Sequence, residues 1–383
     1  MLLSSILPNV ASLNPTHPAL KYKNETLTYE QLLRQASSVA HGFRELGVRP
    51  GDRVALLSHP SPLLVVAEIA AVAIGAIPFA IFPRLTSSDI AHILQDADPV
   101  AVVYDSSDLK LSECVSLLVN TSVTVNAIPC KASHHAPSPS IESFIATCPP
   151  LGQWHEANPD DVALLIYTGG TTGRSKGVMH SHRTIRSWSF MNPERGGGHL
   201  SSKKMILPNQ AHLTGQFILW TTLFEGGCLI FPESYPLQAE EVIALIEREQ
   251  LKNVGTVGLL FKDIVDLKNL SPGCARSVEG ISCGGAPISE NTFRAARDIF
   301  PNAYLTEVYS QTESGQFISY LSINQCFAEG KLNRLLSVGK PSDVAVWGQK
   351  PFQVRIVDES GNDVPQGHTG EIICQGDQMM LGY

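Results

Sequence analysis

The chain has 383 residues, 43% of them apolar, with 28 lysines and arginines against 36 aspartates and glutamates, giving a formal net charge of −8. A chain of this length and apolarity buries a large core, which excludes a mini-protein or a disordered tail, and at roughly 150 residues per domain it divides into two or three units. The acidic balance, without a basic run, excludes non-specific nucleic-acid binding, whose affinity comes from neutralised phosphates, and leaves a small molecule as the expected partner.

From the N-terminus, residues 1–11 lack a basic region, and Ser4, Ser5 and Pro8 interrupt their apolar stretch, so no secretory signal is expected. Eight cysteines, at 114, 130, 148, 228, 274, 283, 326 and 374, include no C-x-x-C pair. They read as free thiols in a reducing compartment, and the cytoplasm is the expected location. Residues 26–48 predict a short strand and then an amphipathic helix with Leu32, Leu33, Ala36, Val39, Ala40 and Phe43 on one face, closed at Gly47. Pro50-Gly51-Asp52 turns into an apolar strand over 53–57.

Residues 63–83 are apolar for about twenty positions, nominally enough to cross a bilayer. Glu68 lies inside that run, and Gly75 and Pro78 break it. A helix over 62–74 followed by a buried strand over 76–81 accounts for it without lipid, so no membrane span is expected. A helix over 90–97 and a strand over 100–104 follow, and the alternation predicts a parallel α/β sheet. The polar stretches 131–140 and 194–204 read as surface connections. His134 and His135 in the first have no further ligands nearby and are expected to be solvated.

A second alternating set comprises a helix over 239–250, strands over 253–257 and 278–282, a helix over 289–299 and a strand over 304–309. Past Ser337 the pattern changes to short strands, 353–357 and 371–375, around the turn Glu359-Ser360-Gly361, which predicts a β-rich third unit.

The chemistry concentrates in residues 166–178, IYTGGTTGRSKGV, directly after an apolar strand over 163–167. Thr168, Thr171 and Thr172 supply hydroxyls, Gly169, Gly170 and Gly173 leave backbone N–H groups unobstructed, and Lys176 adds a cation. That combination suits a polyphosphate. It is not the nucleoside-triphosphatase P-loop, which needs Gly before and a hydroxyl after its lysine, because Lys176 stands between Ser175 and Gly177. Farther on, residues 284–287 (GGAP) follow a strand and precede a helix that Ser289 can cap. They are thus expected at a carboxyl edge of the sheet, where open α/β sheets bind ligands. His180 and His182 are spaced for neither a helical metal pair nor a triad.

The glycine-threonine segment closely resembles the Y-T-S-G-T-T-G-x-P-K-G signature of the adenylate-forming superfamily, which includes acyl-CoA synthetases, firefly-luciferase-like enzymes and peptide-synthetase adenylation domains. Gly169 stands for the usual serine and Ser175 for the usual proline. Other elements resemble the family in order: Leu27-Thr28-Tyr29 with Leu32, residues 51–55, 208–215 (PNQAHLTG), 284–287, 309–313 (YSQTE) and 370–372, then Gly382-Tyr383. The resemblance covers most of the chain. It implies an α/β fold of two stacked Rossmann-like subdomains, expected at 1–195 and 196–337, with a distorted-barrel β-rich subdomain begun at 338–383.

For the site, the resemblance implies that Thr168 to Gly173 and Lys176 hold the phosphates of ATP, and that Gly284, Gly285, Ala286 and Pro287 with Tyr309, Ser310 and Gln311 border adenine. Tyr309 could stack on the base, worth about 1 to 3 kcal/mol. Thr312 would donate to the α-phosphate, and Glu313, with Thr168, would meet Mg²⁺. His212, Leu213, Thr214, Gln216 and Gly285 are implied at the acyl substrate, and Lys176, Thr312, Glu313 and His212 are the implied catalytic set.

The implied reaction is attack of a carboxylate on the α-phosphate, release of pyrophosphate, and transfer of the acyl group from acyl-AMP to coenzyme A. Amino-acid-activating members carry an Asp where Leu213 and Thr214 stand here, so a fatty or aryl acid is expected. Loading of a carrier protein and a non-catalytic nucleotide-binding module are the alternatives. The family's ribose-binding Asp, hinge and C-terminal lid with its catalytic lysine would fall beyond Tyr383. A truncated large domain, impaired by itself, is therefore the expectation.

Overall fold

A computed structural model describes residues 2–121, 125–131, 139–169, 173–190, 203–205, 209–270, 273–341 and 352–383. The glycine-loop residues Gly170, Thr171 and Thr172, and the connections 132–138 (with His134 and His135) and 194–202, lie outside them.

Helix α1 (Leu3–Leu13) leads into the antiparallel strands β1 (Pro18–Tyr22) and β2 (Glu25–Thr28). Thr28 then opens α2 (Tyr29–Glu45) with a capping box: its hydroxyl accepts from Gln31 N at 3.3 Å, and Gln31 Oε1 accepts from Thr28 N at 2.8 Å. The expected apolar face of α2 is buried at Leu32, Ala36, Val39, Ala40 and Phe43.

Strands β3 (Arg53–Leu57), β4 (Ile77–Ala80), β5 (Ala101–Tyr104) and β6 (Asn126–Pro129) form a parallel sheet in the order β4-β3-β5-β6, connected by α3 (Pro62–Ala73), α4 (Ser87–Ala97) and α5 (Leu109–Thr121). The apolar run at 63–83 resolves into α3 and β4, as its interruptions predict, and among the described residues no helix is long and apolar enough to cross a membrane. Alternate residues serve opposite faces: Val54, Leu56, Ala101 and Val103 pack toward α2 and α3, whereas Ala55, Leu57, Val102 and Tyr104 pack toward α4 and α5. Burial on both faces explains why these strands are apolar throughout.

After α6 (Ile141–Thr147), strands β7 (Val162–Thr168) and β8 (Lys176–Ser181) pair antiparallel, with α7 (His182–Phe190) next. The second set comprises β9 (Lys203–Met205), α8 (Leu213–Phe224), β10 (Cys228–Phe231), α9 (Ala239–Glu249), β11 (Asn253–Val257), α10 (Gly258–Val265), β12 (Gly280–Gly284), α11 (Glu290–Ile299), β13 (Tyr304–Gln311), β14 (Gly315–Ser322) and α12 (Ile323–Ala328). Its sheet runs β14-β13-β12-β11-β9-β10-β1-β2, parallel from β13 to β1 with an antiparallel strand at each edge. Strands β1 and β2, far back in the chain, thus complete the sheet of the second set.

Two expectations shift. The connection anticipated through 204 ends earlier, because Lys203 already pairs with Cys228. The strand expected over 278–282 lies at Gly280–Gly284, since Gly280 pairs with both Asn253 and Tyr304, and Val278 belongs to the preceding turn. In the C-terminal part, β15 (Gln353–Val357) and β16 (Glu371–Gln375) pair antiparallel. Among the described residues there, the expected barrel is a two-stranded ribbon.

Candidate active site

Three parallel strands deliver their carboxyl ends side by side: Val257 of β11 is in register with Gly284 of β12, and Gly284 with Val308 of β13. A cavity of about 280 Å³ opens at this edge. One wall carries Gly284, Gly285, Ala286, Ser310, Gln311 and Thr312, and the opposite wall carries His212, Leu213, Thr214, Phe217 and Ile218 from the start of α8. Glycine is required where the wall turns. A Cβ on Gly284 would stand 2.6 Å from Val308 O, and Gly285 has φ +80°. Ser289 caps the helix after this turn, accepting from Thr292 N at 3.2 Å, as expected.

A second cavity, of about 380 Å³, shares Gly285, Ala286 and Ser310 with the first and adds Pro287, Tyr309 and Glu307. An open cleft of about 780 Å³ gathers Thr168, Gly173, Lys176 and Glu313. Thr312 lines the first cavity and Glu313 the cleft, so one peptide bond separates the two spaces. In the β7–β8 pair Thr168 stands opposite Lys176, which closes the base of the glycine loop between them. The Tyr383 hydroxyl donates to Glu313 Oε1 at 3.0 Å, and Lys176 Nζ sits 4.7 Å from the Tyr383 ring centre.

The family model described as AMP-binding enzyme matches residues 7–383. The chain belongs to the AMP-binding enzyme family. A feruloyl-CoA synthase from an Amycolatopsis species is 27% identical over 376 residues, covering 97% of this chain and 70% of that one. Surfactin synthase subunit 1 of Bacillus subtilis is 26% identical over 380 residues, 97% of this chain but 10% of that much longer protein. Among solved structures, a benzoate CoA ligase from Burkholderia xenovorans superposes with a TM-score of 0.83 at 18% identity, over 100% of this chain and 73% of that one, a likeness of fold.

In this AMP-binding enzyme His212 is the N-cap of α8. Its Nδ1 accepts from Thr214 N at 3.2 Å, which leaves the proton of the neutral ring on Nε2. His212 lines the cavity and keeps exposed surface, and partial desolvation lowers its pKa below the ordinary histidine value. Gln216 is not among the residues lining the cavity. It is buried, its amide donating to Gln210 O at 2.7 Å and accepting from Trp220 Nε1 at 3.1 Å.

Several residues at the site carried no sequence signal. His92 Nε2 donates to Ser175 O at 3.2 Å, bracing the segment just before Lys176 from α4. Glu307 lines the second cavity, and burial pushes its carboxyl up to about 7. His180 Nε2 donates to Thr312 O at 2.9 Å, which ties β8, the strand that begins at Lys176, to the turn bearing Thr312 and Glu313. None of these matches a motif, because each acts through a partner distant in sequence.

His182 serves elsewhere in the fold, where its Nδ1 accepts from Leu3 N at 3.2 Å and anchors α1. Burial holds both His180 and His182 neutral and pushes them from 6.5 down to about 4. A histidine held neutral in the fold supports stability fully above pH 6.5, and that support is lost as the pH falls toward 4, about 3 kcal/mol for each. Glu68 and Glu307, raised from 4.5 to about 7, act oppositely: their support is present below pH 4.5 and lost as the pH rises through 7. His182→Asn keeps an acceptor for Leu3 N but does not titrate. Between pH 7 and 4.5 it is expected to lose about 2.5 kcal/mol less stability than the wild type, read from urea midpoints. Equal losses in the two proteins would remove His182 from the acid response.

Proposed function

We propose that this enzyme activates a fatty or aryl carboxylic acid with ATP, forming acyl-AMP and pyrophosphate, and that the acyl group then passes to the thiol of coenzyme A. The observation that carries the reading is the position of Thr312 and Glu313 between an acyl-sized cavity and a cleft containing Thr168, Gly173 and Lys176. A carboxylate does not expel oxide, so it must first acquire a better leaving group. Attack on the α-phosphate supplies one, and the protein contributes positioning and charge stabilisation.

In this scheme Lys176, Thr168 and the loop amides hold the phosphates, and Thr312 donates to the α-phosphate. His212 Nε2–H meets the acid's carboxylate end, and Tyr309 with residues 284–287 and Ser310 borders adenine. Among the described residues no cluster of three or more His, Cys, Asp or Glu side chains could hold a metal by itself. A Mg²⁺ bound mainly through phosphate oxygens needs only one or two protein oxygens, and Glu313 with Thr168 in the same cleft fits that need. The ion, when bound, neutralises charge on the phosphates.

A plain acid is favoured because none of the described residues lining the 280 Å³ cavity is acidic, which leaves no partner for an amino acid's ammonium. Transfer to a carrier-protein thiol is the second reading, supported by the surfactin synthase relative. The division at residues 195 and 337 is part of the same proposal, as is a cytoplasmic location, supported by free thiols at Cys114, Cys130, Cys148, Cys274, Cys326 and Cys374.

Pyrophosphate exchange across a panel of fatty and aryl acids, with and without coenzyme A, tests the reading. The expected result is acid-dependent exchange, thioester only with coenzyme A, and a His212→Ala variant with its acid KM raised about tenfold or kcat lowered to match. ATP binding without exchange for any acid would overturn it. Exchange indifferent to coenzyme A would select the carrier-protein reading.

A further inference from the structure

Helix α3 is buried from Leu64 to Ala73, and every residue in that stretch is apolar except Glu68, which has no exposed surface at all. The proposed reaction does not use this carboxyl. Its Oε2 accepts from Gln210 Nε2 at 2.6 Å. Gln210 is itself 1% exposed, and its backbone carbonyl accepts from Gln216 Nε2, whose Oε1 accepts in turn from Trp220 Nε1. A polar chain thus runs from the first α/β set beneath the start of α8.

The chain ends on residues of the acyl cavity. His212 N donates to Asn209 O at 2.9 Å, Asn209 Oδ1 accepts from Ala211 N at 2.9 Å, and Gln216 N donates to His212 O at 3.1 Å. Whatever holds Gln210 and Gln216 therefore also holds the turn from which His212, Leu213 and Thr214 face the cavity.

Two oxygens in this network, Glu68 Oε1 and Gln210 Oε1, are buried without a hydrogen-bond partner. An ionised carboxylate brings only acceptors to this buried network, whereas a proton on Glu68 adds a donor to it. The side chains that hydrogen-bond in this network, Gln210, Gln216 and Trp220, carry no charge; their bonds to Glu68 favour the ionised form, but burial outweighs them and raises the carboxyl to about 7.

We propose that Glu68 is a positioning residue of the acyl cavity: held as the neutral acid, it clamps Gln210 and so fixes the wall that presents His212, Leu213 and Thr214 to the substrate. This deepens the acid-activating reading and rests on it. A leucine at 68 would fill the space but offer no directed bond, leaving the Gln210 amide buried and unpaired, and the wall free to shift relative to the acid.

The test compares Glu68→Gln and Glu68→Leu with the wild-type full chain in pyrophosphate exchange, using the acid that gives the highest rate. Glu68→Leu is expected to raise the acid KM about tenfold or more and leave the ATP KM within about twofold, whereas Glu68→Gln, neutral and of the same shape, stays within about threefold on both. An unchanged acid KM in Glu68→Leu overturns the proposal, as does an equal rise in both constants, which marks a merely structural role. Glu68→Gln behaving like Glu68→Leu overturns the neutral acid.

A second measurement stands apart from turnover and from the folding of the leucine variant. The infrared difference between wild type and Glu68→Gln at pH 6 should contain the carbonyl band of a protonated carboxyl, and its absence overturns the proposal. A wild type that exchanges with no acid defeats the functional reading instead, and the infrared result then stands by itself.

Discussion

Glu313→Gln is expected to lower acid-dependent pyrophosphate exchange by about 100-fold or more, with little change in folding stability. The substitution keeps an oxygen that can accept the Tyr383 hydroxyl, and it leaves intact the backbone bond in which Glu313 O accepts from Met380 N at 2.8 Å. It removes only the negative charge from the cleft that also holds Thr168 and Lys176. If that charge helps to place a divalent cation on the phosphates, its loss costs transition-state stabilisation of the size seen when one preorganised electrostatic contact is deleted. The Mg²⁺ concentration for half-maximal exchange should rise in parallel. A variant within a few-fold of wild type at every Mg²⁺ concentration would refute the role of Glu313, while unaltered urea midpoints would exclude misfolding as the cause of a loss.

The second large effect is structural and falls on the same turn. Gly315, which follows the short helical turn Thr312–Ser314, has φ +78°, and a Cβ there would lie 2.5 Å from Trp188 Nε1 and 3.2 Å from Gln378 O. Trp188 cannot retreat easily. It is fully buried, packs edge-on against His180 at 4.4 Å between ring centres, and donates to Gln378 O at 3.4 Å. Gly315→Ala combines an alanine forced into a positive-φ, extended-ψ region that essentially only glycine adopts, about 1 to 3 kcal/mol, with overpacking of about 1 to 3 kcal/mol. A total of about 3 kcal/mol, read from the urea midpoint, is expected together with slower exchange, because the strain falls next to Thr312. Adding Trp188→Phe, which removes the indole nitrogen, should recover part of the stability. An unchanged midpoint in Gly315→Ala would mean that Trp188 does not pack where the structure places it.

Much of the fold was legible because its signals are local. The unbroken apolar runs of β3 and β5 reported strands buried on both faces, and Glu68, Gly75 and Pro78 marked 63–83 as helix and strand. At the site, the loop composition around Thr168 and Lys176 and the glycines at 284 and 285 suggested backbone suited to close approach by a ligand, and the fold sets Thr168, Lys176 and both glycines along the spaces that Thr312 and Glu313 line. Gln216 lies away from the cavity lining for a physical reason. Its position in the segment before and within α8 suggested the substrate, but helical geometry turns it inward to Trp220, four residues on, while Leu213 and Phe217 face the cavity.

What the sequence determined by itself was the alternation of strands and helices, the phosphate-suited loop and the order of the family's elements, since each depends on residues close together in the chain. Only the tertiary structure decided that β1 and β2 complete a sheet begun some two hundred residues later, that His180 holds Thr312, and that Glu68 accepts from Gln210. Those choices depend on which distant backbone edges and buried polar groups find partners. An unpaired strand edge or an unmet amide is costly wherever it occurs, and the sequence carries that demand without naming the residue that meets it.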